Sequence, residues 1–156
     1  MAAHGVGGTM DPGADAAGAE PGGVTWAGIW GAILVGLAVA IGALGTHYLV
    51  GRIPVAREAT LDTAVRYQFV SGFGLLLLAA LSRSQARSQR LFHWSGVCLL
   101  VGALLFCGSL YLLVAGGPGL LGAVAPLGGA GMIGGWALLA AALAGSRRKS
   151  RRKSGP

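Results

Sequence analysis

No Lys, Arg, Asp or Glu occurs in residues 21–51, 67–82 or 91–146 of this 156-residue sequence. Charged residues make up 11% of the chain and hydrophobic residues 54%, whereas ordinary globular proteins carry about 25% charge. A helix at the surface of a soluble protein needs a polar face, and these stretches have none. That excludes a soluble domain and fits spans of a bilayer. Carboxylates are scarcest of all: five in the chain, none inside an apolar run. A proton-coupled carrier usually places an ionisable group within the membrane. No metal-ligand spacing and no grouping of nucleophile, base and orienting residue is legible either, so the chain reads as non-enzymatic and free of cofactors and metal.

Cysteine and histidine are equally sparse. Cys98 and Cys107 lie nine residues apart in one expected helix, about 180° around its axis, so they cannot bridge. Both read as small apolar residues. Of three histidines, His4 lies in a Gly/Ala-rich tail, His47 ends the first apolar run and His93 begins the third. A hydrocarbon core of about 30 Å separates those two levels, so His47 and His93 cannot share a metal or haem. His93, beside Trp94 and near Arg90, reads as an interfacial anchor.

What is present is apolar length, punctuated by basic loops. The fold expected is an all-α integral membrane protein, a four-transmembrane-helix bundle. Its expected spans are residues 24–49, 64–81, 91–114 and 124–144, between a disordered tail (1–23) and a basic disordered tail (146–156). Trp26, Trp30 and Tyr48 suit the headgroup boundary. Gly116-Gly117-Pro118-Gly119 reads as a turn. The second span is the short one. Its purely apolar run is residues 67–81, and it crosses only if residues 61–66 extend the helix and Arg66 snorkels. Residues 57–66 alternate charged and apolar residues, as a short interfacial helix would.

The net charge of +7 does not point to nucleic acid. Arg147, Arg148, Lys149, Arg151, Arg152 and Lys153 form half of the basic residues, with no aromatic among them to stack on bases. They read as a patch for anionic lipid headgroups. With four spans, the N-tail, the 82–90 loop and the C-tail carry nine basic residues, against three in the segments on the other side. The positive-inside rule then puts both termini in the cytoplasm. Arg outnumbers Lys ten to two, which suits a GC-rich bacterial genome and hence a bacterial plasma membrane.

Small residues recur along the spans. Gly28, Gly31, Ala38, Gly42 and Gly45 follow three- and four-residue steps in the first, with Val35 filling the step between Gly31 and Ala38. Ser95, Gly102 and Ser109 stand seven apart in the third, and Gly128, Gly131, Gly135 and Ala142 keep the same rhythm in the fourth. In lipid, helices associate through close backbone approach at such positions. Gly31, Gly42, Gly45, Gly102, Gly128 and Gly135 are the expected packing residues.

Several segments resemble a known family. Gly42-Ala43-Leu44-Gly45-Thr46-His47-Tyr48-Leu49 is similar to a Gly-Ala-x-Gly-Ala-His-x-Leu element, and Tyr67-Gln68 to a Tyr-Gln element before the second span. Leu105-Phe106-Cys107-Gly108-Ser109-Leu110-Tyr111 resembles Leu-Phe-Ser-Gly-Ser-Leu-Tyr. Pro126-Leu127-Gly128-Gly129 and Gly135-Trp136 resemble Pro-Ile-Gly-Gly and Gly-Trp. These belong to the domain of unknown function 423 family, which includes transmembrane protein 256, and the resemblance covers about residues 26–144. Ser71 stands where family members often have His, and Cys107 where Ser is usual. The resemblance implies a small multi-span membrane protein and brings no activity with it.

The remaining expectation is a polar cluster. His47, Gln68, Ser109 and Tyr111 fall at helix ends on the same side, and membrane-embedded polar groups must bond one another. They are expected to meet at the outer end of the bundle, as a structural lock or a small binding site. Two functions follow as expectations: a non-catalytic protein that organises the membrane or assembles with a protein partner or with further copies of itself, or a small oligomeric transporter or channel subunit.

Overall fold

A computed structural model describes residues 24–49, 51–83 and 88–153, with side chains described as far as residue 145. These described residues form four α-helices: α1 (Thr25–Leu44), α2 (Val55–Ser82), α3 (Gln89–Val114) and α4 (Leu121–Lys153). Each has a stretch long and apolar enough to cross a membrane. Among the described residues there is no strand. The fold is an all-helical membrane bundle. The expected N-tail, residues 1–23, lies outside the described residues.

Two boundaries differ from the sequence reading. The alternating stretch 57–66 is not a separate interfacial helix, because α2 runs unbroken through it. Three of its four charged residues have local partners. Arg66 pairs with Asp62 one turn away at 2.9 Å, and Glu58 Oε1 accepts the Gly51 N–H at 2.7 Å. The hydroxyls of Thr60 and Thr63 donate back to the carbonyls of Ala56 and Ala59. At the other end of the chain, residues 146–153 continue α4 rather than forming a disordered tail. Arg and Lys propagate helices well, and their charge suits a helix C-terminus.

The turns follow from backbone chemistry. After α1, Gly45–Leu49 widens into a π-helical turn, where Thr46 Oγ1 donates to the carbonyls of Gly42 and Ala43. Such back-bonding from Thr distorts a helix end. After α3, Gly116 takes φ +94° and the Gly117 N–H reaches Leu112 O at 2.8 Å. That is a Schellman closure, which needs glycine at the left-handed position.

Close backbone approach runs along α1–α2, α2–α3 and α3–α4. The middle of the molecule is therefore α2 and α3, with α1 and α4 on its flanks. The α1–α2 seam uses the predicted stripe of α1. A Cβ on Gly31 would stand 2.8 Å from Gly72 O, and one on Gly45 2.8 Å from Leu61 Cδ2. At Gly42 the neighbour, Val65, is in ordinary contact at 3.4 Å. In the α3–α4 seam, a Cβ on Gly102 would meet Met132 N at 2.6 Å, one on Gly128 would collide with the Phe106 backbone, and one on Gly135 would stand 2.7 Å from Leu99 Cγ. Ser95 Oγ donates across this seam to Gly135 O at 2.8 Å.

The two hairpins, α1–α2 and α3–α4, also exchange indoles. Trp26 of α1 lies over Gly96 of α3, and Trp136 of α4 lies over Gly74 of α2; in both places a Cβ would fall within 3.0 Å of the ring. Trp26 is thus partly buried against α3, edge-on to His93 at 5.7 Å, rather than a simple boundary residue. Trp30 and Tyr48 remain exposed.

The core sits towards the end that holds the start of α1. Val24, Ala27, Leu75, Leu78, Phe92 and Leu139 belong to one buried cluster there. Ser82 Oγ accepts the Val24 N–H at 3.0 Å and donates to Ala79 O, which pins the start of α1 to the end of α2. Towards the opposite end, at the α1–α2 and α3–α4 turns, the flanking helices part and leave clefts.

Candidate functional site

The largest buried polar side chain is the Gln68 carboxamide, 4% exposed. Because α2 begins at Val55, Gln68 stands thirteen residues into it, about 20 Å along the axis. It is in the middle of its helix, not at the start, and so lies deeper than the sequence reading placed it. Its Nε2 donates to Leu34 O, midway along α1, at 2.9 Å. Its Oε1 accepts the Tyr111 hydroxyl at 2.6 Å. Tyr111 sits near the end of α3, and side chains on a helix lean towards its N-terminus, which carries the phenol back to the level of Gln68. One amide thereby ties three helices together.

The other two members of the expected cluster are elsewhere. Ser109 is buried, but its hydroxyl donates to Phe106 O in its own helix at 2.9 Å. His47 is exposed on the π-helical turn and makes no hydrogen bond to Gln68, Ser109 or Tyr111. The four-residue cluster is thus a pair, Gln68 and Tyr111. The cause is depth: His47 stays at the helix end, while α2 carries Gln68 inward.

Sequence reasoning missed the third participant, the Leu34 carbonyl. Main-chain acceptors leave no mark in a residue pattern. It also missed Gly72, opposite Gly31, although the Ser71–Gly72–Gly74 run was a legible signal.

Beside the pair, α1 and α3 stand apart and flank an open cleft of about 200 Å³, lined by Leu37, Ile41, Gln68, Leu104, Gly108 and Tyr111 among others. Cys107 also borders it and is a free thiol. A second cleft of about 170 Å³ lies between the π-helical turn and α2, bordered by Gly45, Thr46, Glu58, Leu61 and Asp62. Among the described residues, no three His, Cys, Asp or Glu side chains gather as metal ligands. The side chains of Arg147, Arg148, Lys149, Arg151, Arg152 and Lys153 lie outside those described.

Residues 41–129 match the family described as Protein of unknown function (DUF423). The chain belongs to this family. The matched segment contains Gln68, Tyr111 and the Gly102–Gly128 seam. Among similar proteins, the UPF0382 membrane protein SH2409 of Staphylococcus haemolyticus is 34% identical over 111 residues, 71% of this chain and 88% of the relative. The UPF0382 inner membrane protein YgdD of Escherichia coli K12 is 36% identical over 111 residues, 71% of this chain and 83% of that protein. No solved structure matches. These relatives are membrane proteins, and this chain is one too.

Proposed function

We propose that this protein is a non-catalytic component of a bacterial plasma membrane that organises the bilayer or holds a larger assembly together. One observation carries the reading. Among the described residues, no buried side-chain nitrogen or oxygen is without a hydrogen-bond partner. Ser82 and Ser95 each join two helices, and Gln68 joins three. Polar groups that each bond a neighbouring helix or their own hold the bundle in place, and they do not form a continuous path for an ion.

The outward faces are apolar, with Ile29, Ile33, Leu37 and Val39 of α1 all exposed, and are available to lipid or to a protein partner. Both termini face the cytoplasm in this reading, and the basic run at residues 147–153 lies on anionic headgroups. The test is mild solubilisation followed by mass measurement of the intact particle, alongside flux assays in reconstituted liposomes. A stable partner, a homo-oligomer or a retained lipid is expected. Solute or ion passage above that of protein-free vesicles would replace this reading with the transporter or channel alternative.

A further inference from the structure

The two hydrogen bonds of Gln68 leave part of the pair unused. A carboxamide offers two N–H donors and an acceptor oxygen, and a phenol one donor and an acceptor oxygen. Leu34 O takes one amide hydrogen, and Gln68 Oε1 takes the only phenol hydrogen. One N–H of Gln68 and the lone pairs of the Tyr111 oxygen remain, and both residues line the α1–α3 cleft. A hydroxyl group matches this remainder, since it accepts from the amide and donates to the phenol oxygen. The rest of the lining used here, Leu37, Ile41 and Leu104, is aliphatic.

Depth and size narrow the ligand further. Leu34 lies nine residues into α1, about 14 Å from its start, which is well inside a core of about 30 Å. A phospholipid headgroup cannot descend there without carrying charge into hydrocarbon. At about 200 Å³ the cleft is below the range of roughly 300–1,000 Å³ typical for drug-sized ligands. Leu37 and Leu104 on its rim are half exposed, so it is a groove along which a single chain can lie.

We propose that the α1–α3 cleft binds a neutral, single-chain lipid alcohol, its hydroxyl held between Gln68 and Tyr111 and its chain against Leu37, Ile41 and Leu104. This goes beyond the organising role proposed above and stands whether or not the chain assembles with partners.

The test uses the full chain in phosphatidylcholine nanodiscs with three diazirine probes: farnesol, farnesyl methyl ether and phosphatidylcholine. Labelled residues are read by mass spectrometry. Farnesol is expected to label α1 and α3 around the cleft several-fold more than either control, and excess unlabelled farnesol should compete. The ether accepts a hydrogen bond but cannot donate one, so weaker labelling by it reports the Tyr111 contact. Tyr111→Phe should bring farnesol and the ether to equal labelling. A Cβ at Gly108 meets nothing within 4 Å, so Gly108→Leu should block the cleft and reduce labelling several-fold at an unchanged melting temperature. Equal labelling by phosphatidylcholine, label spread evenly over all four helices, or undiminished labelling of Gly108→Leu would each overturn the proposal. The Gly108 variant decides the matter if Tyr111→Phe does not fold.

Discussion

Gly102 of α3 and Gly128 of α4 face each other so closely that a Cβ on either would stand 2.8 Å from the other's carbonyl oxygen. Both neighbours are backbone, so neither helix can yield without moving as a whole. Gly128→Ala should therefore destabilise by about 1–3 kcal/mol, the usual cost of overpacking, although Ala is the better helix former. Gly36→Ala is the control, because a Cβ there meets nothing. Thermal unfolding in detergent should show a clear loss for the first and none for the second.

Gln68 and Tyr111 should be energetically coupled. Hydrogen bonds between membrane helices average about 0.6 kcal/mol, so Gln68→Leu, which removes two, should cost about 1–2 kcal/mol. Tyr111→Phe should cost less. The double variant should recover a coupling of about 0.5–1 kcal/mol in a mutant cycle. Additive losses would mean that the 2.6 Å bond contributes nothing net.

Ser95 and Ser109 separate a bond between helices from one within a helix. Ser95→Ala loses the contact with Gly135 O across the α3–α4 seam and should lower stability by about 0.6 kcal/mol. Ser109→Ala loses only a bond to its own helix and should be close to neutral, as should His47→Ala at its exposed site. The same unfolding assay orders the three.

Much of the fold is legible from charge alone, because residues 21–51, 67–82 and 91–146 carry none and a bilayer is what tolerates them. The α1 stripe is legible too: small residues at three- and four-residue steps have one use in lipid, and Gly31 and Gly45 meet α2 where that use requires. The site was harder to read. A charged stretch before an apolar run looks like an interfacial segment, and only the local pairing of Asp62 with Arg66 and of Glu58 with the Gly51 N–H shows why α2 continues through it. That continuity sets the depth of Gln68 and detaches it from His47. Trp26 and Trp136 were opaque for another reason, since a pattern of residues does not say which glycine a ring will cover.

The nine-to-three distribution of basic residues predicts that both termini face the cytoplasm. An alkaline phosphatase reporter, active only outside the cytoplasm, should stay silent at the C-terminus and be active when inserted in the turn at residues 115–120. A bright C-terminal fusion would reverse the orientation.

The exchange of Trp26 into Gly96 and Trp136 into Gly74 gives the molecule a mechanical fault line. Each hairpin is zipped along its own glycine seam, and the halves grip each other through two wedges and the α2–α3 contact. Regions that open at different free energies tend to be contiguous motifs of this kind. Pulled apart from its two ends in a bilayer, the protein should first come undone between residues 82 and 89, leaving two intact hairpins that each yield later at higher force. A chain severed in that connection should reassemble from its halves, with the wedges acting as the key that lets one half recognise the other.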